Sequence, residues 1–229
     1  MIIQEVEEKL SLHSKHASEA LSFLEAYGLP GLEAGDLEHH QILDVYFDFE
    51  GAKLLKKGHY LRFRSDNGDV LVTWRIAAHL QNTVVIDETT HQLNDIGISL
   101  AISQMRDWQL LPRYADLISP IFQENLASVG LREIIRVRIE RQIKTYYQDR
   151  KRLLRIKFDE FRFPSLPGEL GSQDHFEFET DVYSDDGLIL TRQFRSDLKR
   201  TFPGEIGRTE KAKALFGLDL LTDQEEAPL

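Results

Sequence analysis

The sequence predicts an α+β fold: a closed antiparallel β-barrel of about eight strands, with helices packed outside it. Three observations lead there. Segments in which ionisable and large apolar residues alternate with a period of two recur along most of the chain. Most of these segments come in pairs joined by turn residues, as hairpins do. Helical periodicity is confined to a few stretches between them. Closing such a set of strands removes its exposed edges, which makes a barrel the economical arrangement. No linker divides the 229 residues, so 1–229 reads as one domain with a helical insertion around 97–129.

The elements follow in chain order. Residues 2–9 alternate, with Ile3, Glu5, Glu7 and Lys9 on one strand face and Ile2, Gln4, Val6 and Glu8 on the other. Residues 14–27 read as a helix with Ala17, Ala20, Leu21 and Leu24 on one side, ended by Gly28, Pro30 and Gly31. Residues 40–49 are strand-like. The stretch 59–75 is a hairpin about Asp66-Asn67-Gly68-Asp69, a strong two-residue turn signal. A strand at 83–90 follows, then helical periodicity over 97–129, broken at Pro112 and Pro120. A second long hairpin covers 134–147 and 152–163, turning near Gln148-Asp149. Residues 175–183 form a strand, 186–200 and 208–217 form helices, and the polar tail after Leu221 frays.

Composition narrows the partners. Apolar residues make up 41% and charged residues 29%, an ordinary globular balance. No apolar run is long enough to span a membrane, and the acidic start MIIQEVEEKL is unlike a secretory signal. The chain has no cysteine, which excludes disulfides and thiolate metal sites. A cytoplasmic protein, monomeric or homodimeric, is the expectation. The net charge of −10 argues against nucleic acid as a partner, because non-specific binding needs a positive field. It leaves room for a small anionic ligand if the basic residues are concentrated in one place.

Strand parity concentrates them. Arg62 and Arg64 share a face opposite Leu61 and Phe63, and Thr73 shares one with Arg75. Arg136, Arg138 and Glu140 lie opposite Val137 and Ile139. Arg155, Lys157 and Asp159 lie opposite Leu154, Ile156 and Phe158, and Glu177 and Glu179 lie opposite Phe176 and Phe178. A half-buried sheet with its charges in water explains any one strand. Taken together, the Arg-x-Arg and Glu-x-Glu pairs favour another reading, in which helices cover the apolar face and the charges line the interior. Facing acids and bases, with phosphate and metal between them, would offset the cost of enclosing them. Arginine forks grip phosphate oxygens, and carboxylates about 6.5–7 Å apart along a strand suit one or two hard cations such as Mg²⁺ or Mn²⁺. Phosphoryl transfer asks a protein mainly for positioning and charge stabilisation.

An ordered set of motifs carries a family resemblance over roughly residues 3–215. Glu5-Val6-Glu7-Glu8-Lys9 is an ExExK motif. It is followed by Tyr46-Phe47-Asp48, by Leu61-Arg62-Phe63-Arg64 after Gly58, by Thr73-Trp74-Arg75, by Phe158-Asp159-Glu160 and by Glu177-Phe178-Glu179. The set resembles the CYTH superfamily, the triphosphate tunnel metalloenzymes. The resemblance implies Glu5, Glu7, Asp159, Glu177 and Glu179 as metal ligands, with Mg²⁺ or Mn²⁺ as cofactor. It implies Lys9, Arg62, Arg64, Arg75, Arg138 and Lys157 as phosphate ligands; strand parity adds Arg136 and Arg155 to the expected set, and Glu5, Glu7 and Lys9 are the expected catalytic residues. Arg75 stands where the family usually has Lys, and Arg136, Arg138 and Arg141 compete for one role. Glu88 and Lys211 resemble further family positions more loosely.

The function this implies is metal-dependent hydrolysis of the terminal phosphate of inorganic triphosphate or of a nucleoside or other organic triphosphate. A class IV adenylate cyclase and a non-catalytic polyphosphate- or nucleotide-binding module are the alternatives. No aromatic cluster defines a base pocket from sequence alone. His13, His16, His39 and His40 read as surface histidines, since no acid cluster accompanies them.

Overall fold

The computed structural model describes residues 6–12, 16–67, 69–80, 83–92, 130–208 and 213–225. The strands are β1 (Val6–Leu12), β2 (Glu33–Ala34), β3 (Glu38–Asp48), β4 (Tyr60–Asp66), β5 (Asp69–Leu80), β6 (Thr83–Gln92), β7 (Arg132–Gln148), β8 (Lys151–Arg162), β9 (His175–Val182) and β10 (Ile206–Arg208). The helices are α1 (Ala17–Ala26), α2 (Gly168–Ser172), α3 (Asp185–Thr201) and α4 (Lys213–Glu225). Each segment expected as a strand contains one. Three short pieces, β2, β10 and α2, were not expected, because two to five residues are too few to show a period. The last helix starts at Lys213, behind β10, and runs on to Glu225 in the stretch expected to fray. The helical insertion expected at 97–129, together with Glu5 and Lys211, lies outside the described residues. Among the described residues, no helix is long and apolar enough to cross a membrane.

The expectation of a closed eight-stranded barrel is overturned. The strands form one antiparallel path in the order β10-β1-β9-β8-β7-β3-β4-β5-β6, with β2 paired off it against β7. Among the described residues the path has two ends and does not close. The reason lies at β1. A strand has two edges; β9 takes one along Val6–Leu12, and β10 takes the other at Leu10–Leu12. That short unexpected strand occupies the place a closing partner would need, and β6 is left as the other end of the path.

Both expected hairpins form, each with a left-handed turn. Asp66 faces Asp69 across the β4–β5 turn, where Asn67 takes φ 46°. At the β7–β8 turn Asp149 and Arg150 take φ 49° and 65°, the two positive values of a type I′ turn. Asp accepts that backbone more readily than Arg does.

The chain divides into two compact units, each assembled from separate segments. The first comprises residues 1–41, 139–162 and 173–211. Its apolar sheet face carries Leu10, Leu154, Ile156, Phe158, Phe176 and Phe178, in one buried cluster with Leu24 of α1 and with Phe194 and Leu198 of α3. Phe178 sits at its centre, 5.0 Å from Phe158 and 5.5 Å from Phe194 between ring centroids. Burying each such ring contributes on the order of 2–3 kcal/mol. Helix α3 is well marked at both ends. Ser184 caps it by accepting from the Gly187 N–H at 3.1 Å, Asp185 and Asp186 follow, and Lys199 and Arg200 close it. Gly187 is needed where it is, because a Cβ there would lie 2.4 Å from the Leu153 carbonyl oxygen of β8.

Helix α1 is held at its other end by a buried lysine. Lys144 Nζ donates to the carbonyls of Leu24, Glu25 and Tyr27 at 3.1, 2.6 and 2.9 Å, supplying donors that the last turn lacks. Lys144→Met removes all three bonds at once. We expect a loss of about 2–4 kcal/mol of stability, read as a lower midpoint in urea unfolding. An unchanged midpoint would refute this role.

The second unit comprises residues 42–138, 163–172 and 212–229. Its strands β3, β4, β5 and β6 pair antiparallel in sequence order. Leu61, Phe63 and Val72 are buried on one face, and Phe47 meets Phe63 at 4.7 Å. Asp48 organises the turn that follows β3, accepting from the backbone N–H groups of Leu54 and Leu55 at 2.8–3.0 Å.

Candidate functional site

In the first unit the ionisable residues line up across three strands. The register sets Lys9 opposite Glu179 and Glu7 opposite Asp181 between β1 and β9. Between β8 and β9 it sets Arg155 opposite Asp181, Lys157 opposite Glu179 and Asp159 opposite Glu177. Residues two apart share a face, so these positions form one charged row on the side away from Phe158 and Phe178.

Much of that row, on β8 and β9, is enclosed. Lys157 is 8% exposed, Asp159 0%, Glu177 3%, Glu179 5% and Asp181 7%. Such values are incompatible with a solvated face, so in this unit the enclosed reading of the alternation holds. The charges are compensated in pairs. Arg141 grips Asp159 with two bonds of 2.7 Å and lies 3.6 Å from Glu179. Lys157 donates to Glu179 at 2.6 Å and to Asp181 at 2.7 Å. Lys9 is 3.8 Å from Glu179, and Arg155 is 3.7 Å from Asp181. Burial alone would lower the Lys157 pKa, but Glu179 and Asp181 outweigh it, against Arg141, and hold it above the ordinary lysine value.

Asp159, Glu177 and Glu179 bring three carboxylate oxygens within 4.8 Å of one another. Buried hard oxygen donors at this spacing fit a hard divalent cation. The bases around them already neutralise much of the charge, so a cation arriving there would compete with Arg141 and Lys157 for the same oxygens. Of the other expected ligands, Glu7 has its backbone in β1 opposite Asp181, and Glu5 is outside the described residues.

In the second unit the basic residues gather around a different acid. Asp44, 1% exposed, takes two bonds of 2.7 Å from Arg64 and lies 3.6 Å from Arg62. Arg62 also donates to Thr73 at 3.2 Å. The guanidinium groups of Arg62 and Arg75 stand over the Tyr60 ring, at 5.3 and 5.5 Å from its centroid. Arg75 pairs in register with Glu88 of β6. Burial, with Asp44 next to it, holds the Tyr46 hydroxyl above the usual phenol range, so Tyr46 stays a neutral neighbour of the two arginines.

On strand β7 the expected parity holds, but the enclosed face is the apolar one and not the Arg-x-Arg one. Arg136 and Arg138 are exposed, Arg136 pairs with Glu133 at 2.5 and 2.7 Å, and the buried positions are Ile135, Val137, Ile139 and Arg141. The expectation that Arg136 and Arg138 face an enclosed interior is therefore corrected. Of the three arginines that compete for one role, Arg141 is the one held against Asp159. Two buried acids, Asp44 and Asp181, were absent from the expected set. Each has the parity of an expected neighbour: Asp181 continues the row Glu177, Glu179, and Asp44 faces Arg64 in register.

The family pattern described as the CYTH domain matches residues 4–194. No curated protein sequence matches the chain. Among solved structures, the chain is similar to a Hippeastrum protein proposed as an adenylyl cyclase and described as having a dominant triphosphatase activity. The identity is 15% and the TM-score 0.52, over 98% of each chain. It is also similar to a proposed adenylate cyclase from Bacillus halodurans, with 16% identity and a TM-score of 0.50, over 90% of this chain and 94% of that one. At these identities the likeness speaks for the fold.

Proposed function

This chain belongs to the CYTH domain family, and from that premise we propose that it is a metal-dependent phosphohydrolase removing the terminal phosphate of a triphosphate. The observation that carries the reading is the enclosed trio Asp159, Glu177 and Glu179, set in register beside Lys9 and Lys157. The trio, with Glu5 and Glu7, would hold Mg²⁺ or Mn²⁺. When bound, the cation supplies Lewis-acid stabilisation of phosphate oxygens and activates water. Beside the trio, Lys9, Lys157 and Arg155 add positive charge for phosphate oxygens; in the second unit, Arg62, Arg64 and Arg75 carry forked donors of the kind that suit phosphate. Arg141 holds Asp159 in place, and Asp44 holds Arg64. Arg136 and Arg138, exposed, have no part in this reading.

The test is phosphate release from tripolyphosphate, ATP and thiamine triphosphate with Mg²⁺, Mn²⁺ or EDTA. Release that depends on the metal and is abolished by EDTA is the expected result. No release from any of the three by folded protein would overturn it. The same ATP reactions, assayed for cyclic AMP, separate a cyclase from a phosphatase, since both would use the same clamp.

A further inference from the structure

The charged row of the first unit ends on an aromatic residue that the proposed chemistry does not use. Tyr183 follows β9 two residues after Asp181, and its N–H donates to the Leu153 carbonyl at 3.1 Å, so the strand pairing reaches it. Arg155 lies 3.7 Å from Asp181 and also stands over the Tyr183 ring at 5.9 Å, which places the ring on the same side as the carboxylates. Arg152 stands over the ring as well, at 4.8 Å from its centroid, and donates to the Tyr183 hydroxyl at 3.3 Å.

This group differs from the rest of the row. Lys157, Arg141 and Lys9 each have a carboxylate partner. Arg152 is exposed and has no carboxylate within ion-pair distance among the described residues; the Tyr183 hydroxyl and ring are its close contacts, with Glu38 and Tyr147 acting on it from further off. A guanidinium edge also binds phosphate oxygens, so the phenol ring is the discriminating group: an inorganic triphosphate has no flat face to lie on it. A planar heteroaromatic group has one, because bases stack on aromatic rings and on guanidinium planes alike, for about 1–3 kcal/mol per base on aromatic side chains. By strand rise, Tyr183 is about 13 Å along β9 from Glu179. A linear substrate with its phosphate end at the carboxylates extends along the row toward it.

We propose that Tyr183, Arg152 and Arg155 form a stacking platform for a heteroaromatic base, so that the preferred substrate is a nucleoside triphosphate and not inorganic triphosphate. The inference rests on the triphosphatase reading. Tyr183 is a specificity residue in it, and touches the base and not the reacting phosphorus.

The experiment compares kcat and KM for ATP and for tripolyphosphate in the full-length protein and in Tyr183→Ala, Tyr183→Phe and Arg152→Ala, with circular dichroism confirming the fold. Tyr183→Ala should raise KM for ATP about tenfold, as expected for the loss of one stacking contact, with kcat unchanged. KM for tripolyphosphate should stay within twofold. Tyr183→Phe keeps the ring and should stay near wild type, while Arg152→Ala should weaken ATP alone. Equal effects of Tyr183→Ala on both substrates, or no effect on either, would overturn the platform. Wild-type protein that cleaves neither substrate would instead overturn the triphosphatase reading, so the two failures are separable. If Tyr183→Ala does not fold, Arg152→Ala decides, since that exposed side chain can be removed without opening the core.

Discussion

Asp159→Asn is expected to lower metal-dependent phosphate release by on the order of 10³-fold, since a metal ligand carries several kcal/mol of transition-state charge stabilisation. The same change should also weaken the fold. Both oxygens of Asp159 accept from Arg141 at 2.7 Å, and neither side chain reaches solvent appreciably. An amide still accepts one of those bonds but removes the carboxylate charge nearest the guanidinium, leaving Glu179 at 3.6 Å, a loss of about 3 kcal/mol. Glu177→Gln tests the same trio from β9: Glu177 is as enclosed as its neighbours, so metal-dependent activity should fall comparably. Binding of Mn²⁺, followed by calorimetry without substrate, should weaken in both variants. If both bind Mn²⁺ as tightly as wild type, the trio is a structural ion-pair network and not a metal site.

Lys157→Met is expected to cost about 3–5 kcal/mol of stability, the effect of breaking a buried ion pair by removing one partner. Lys157 is the shared partner of Glu179 and Asp181, so its loss leaves two enclosed carboxylates short of positive charge. A divalent cation restores part of that charge. The melting temperature of Lys157→Met should therefore rise more on adding Mn²⁺ than that of the wild type, where Lys157 competes for the same oxygens. A ligand at about 100 times its dissociation constant adds about 2.7 kcal/mol, enough to be seen in a melting curve. Equal shifts in the two proteins would show that lysine and cation do not share the site.

The alternation of charge with large apolar residues made much of this legible. It located β4 with β5, β7 with β8, and β9. It also put Asp159, Glu177, Glu179 and Lys157 on faces opposite Phe158, Phe176 and Phe178, all of which the structure bears out. Period two is a property of the backbone itself, so a single strand displays it without reference to its neighbours. Alternation alone does not say which face is enclosed, as β7 shows. Its alternation reads the same whichever face is enclosed, and the Arg-x-Arg pair at Arg136 and Arg138 resembles a phosphate clamp, yet those two residues are exposed and Arg141 is the buried one.

What the sequence by itself determined is therefore local: which stretches are strands, where α1 and α3 begin and end, which residues share a face, and the ordered motifs that mark the family. What only the tertiary structure decided depends on partners far apart in the chain. Pairing of β10 with β1 decided that the strand path stays open. Register between β8 and β9 decided which carboxylates come within 4.8 Å of each other, and packing decided that Arg152 and Arg155 meet at Tyr183. The physical reason is common to all three. A side-chain period names a face, but only hydrogen-bonded register and the filling of each strand edge say what that face meets.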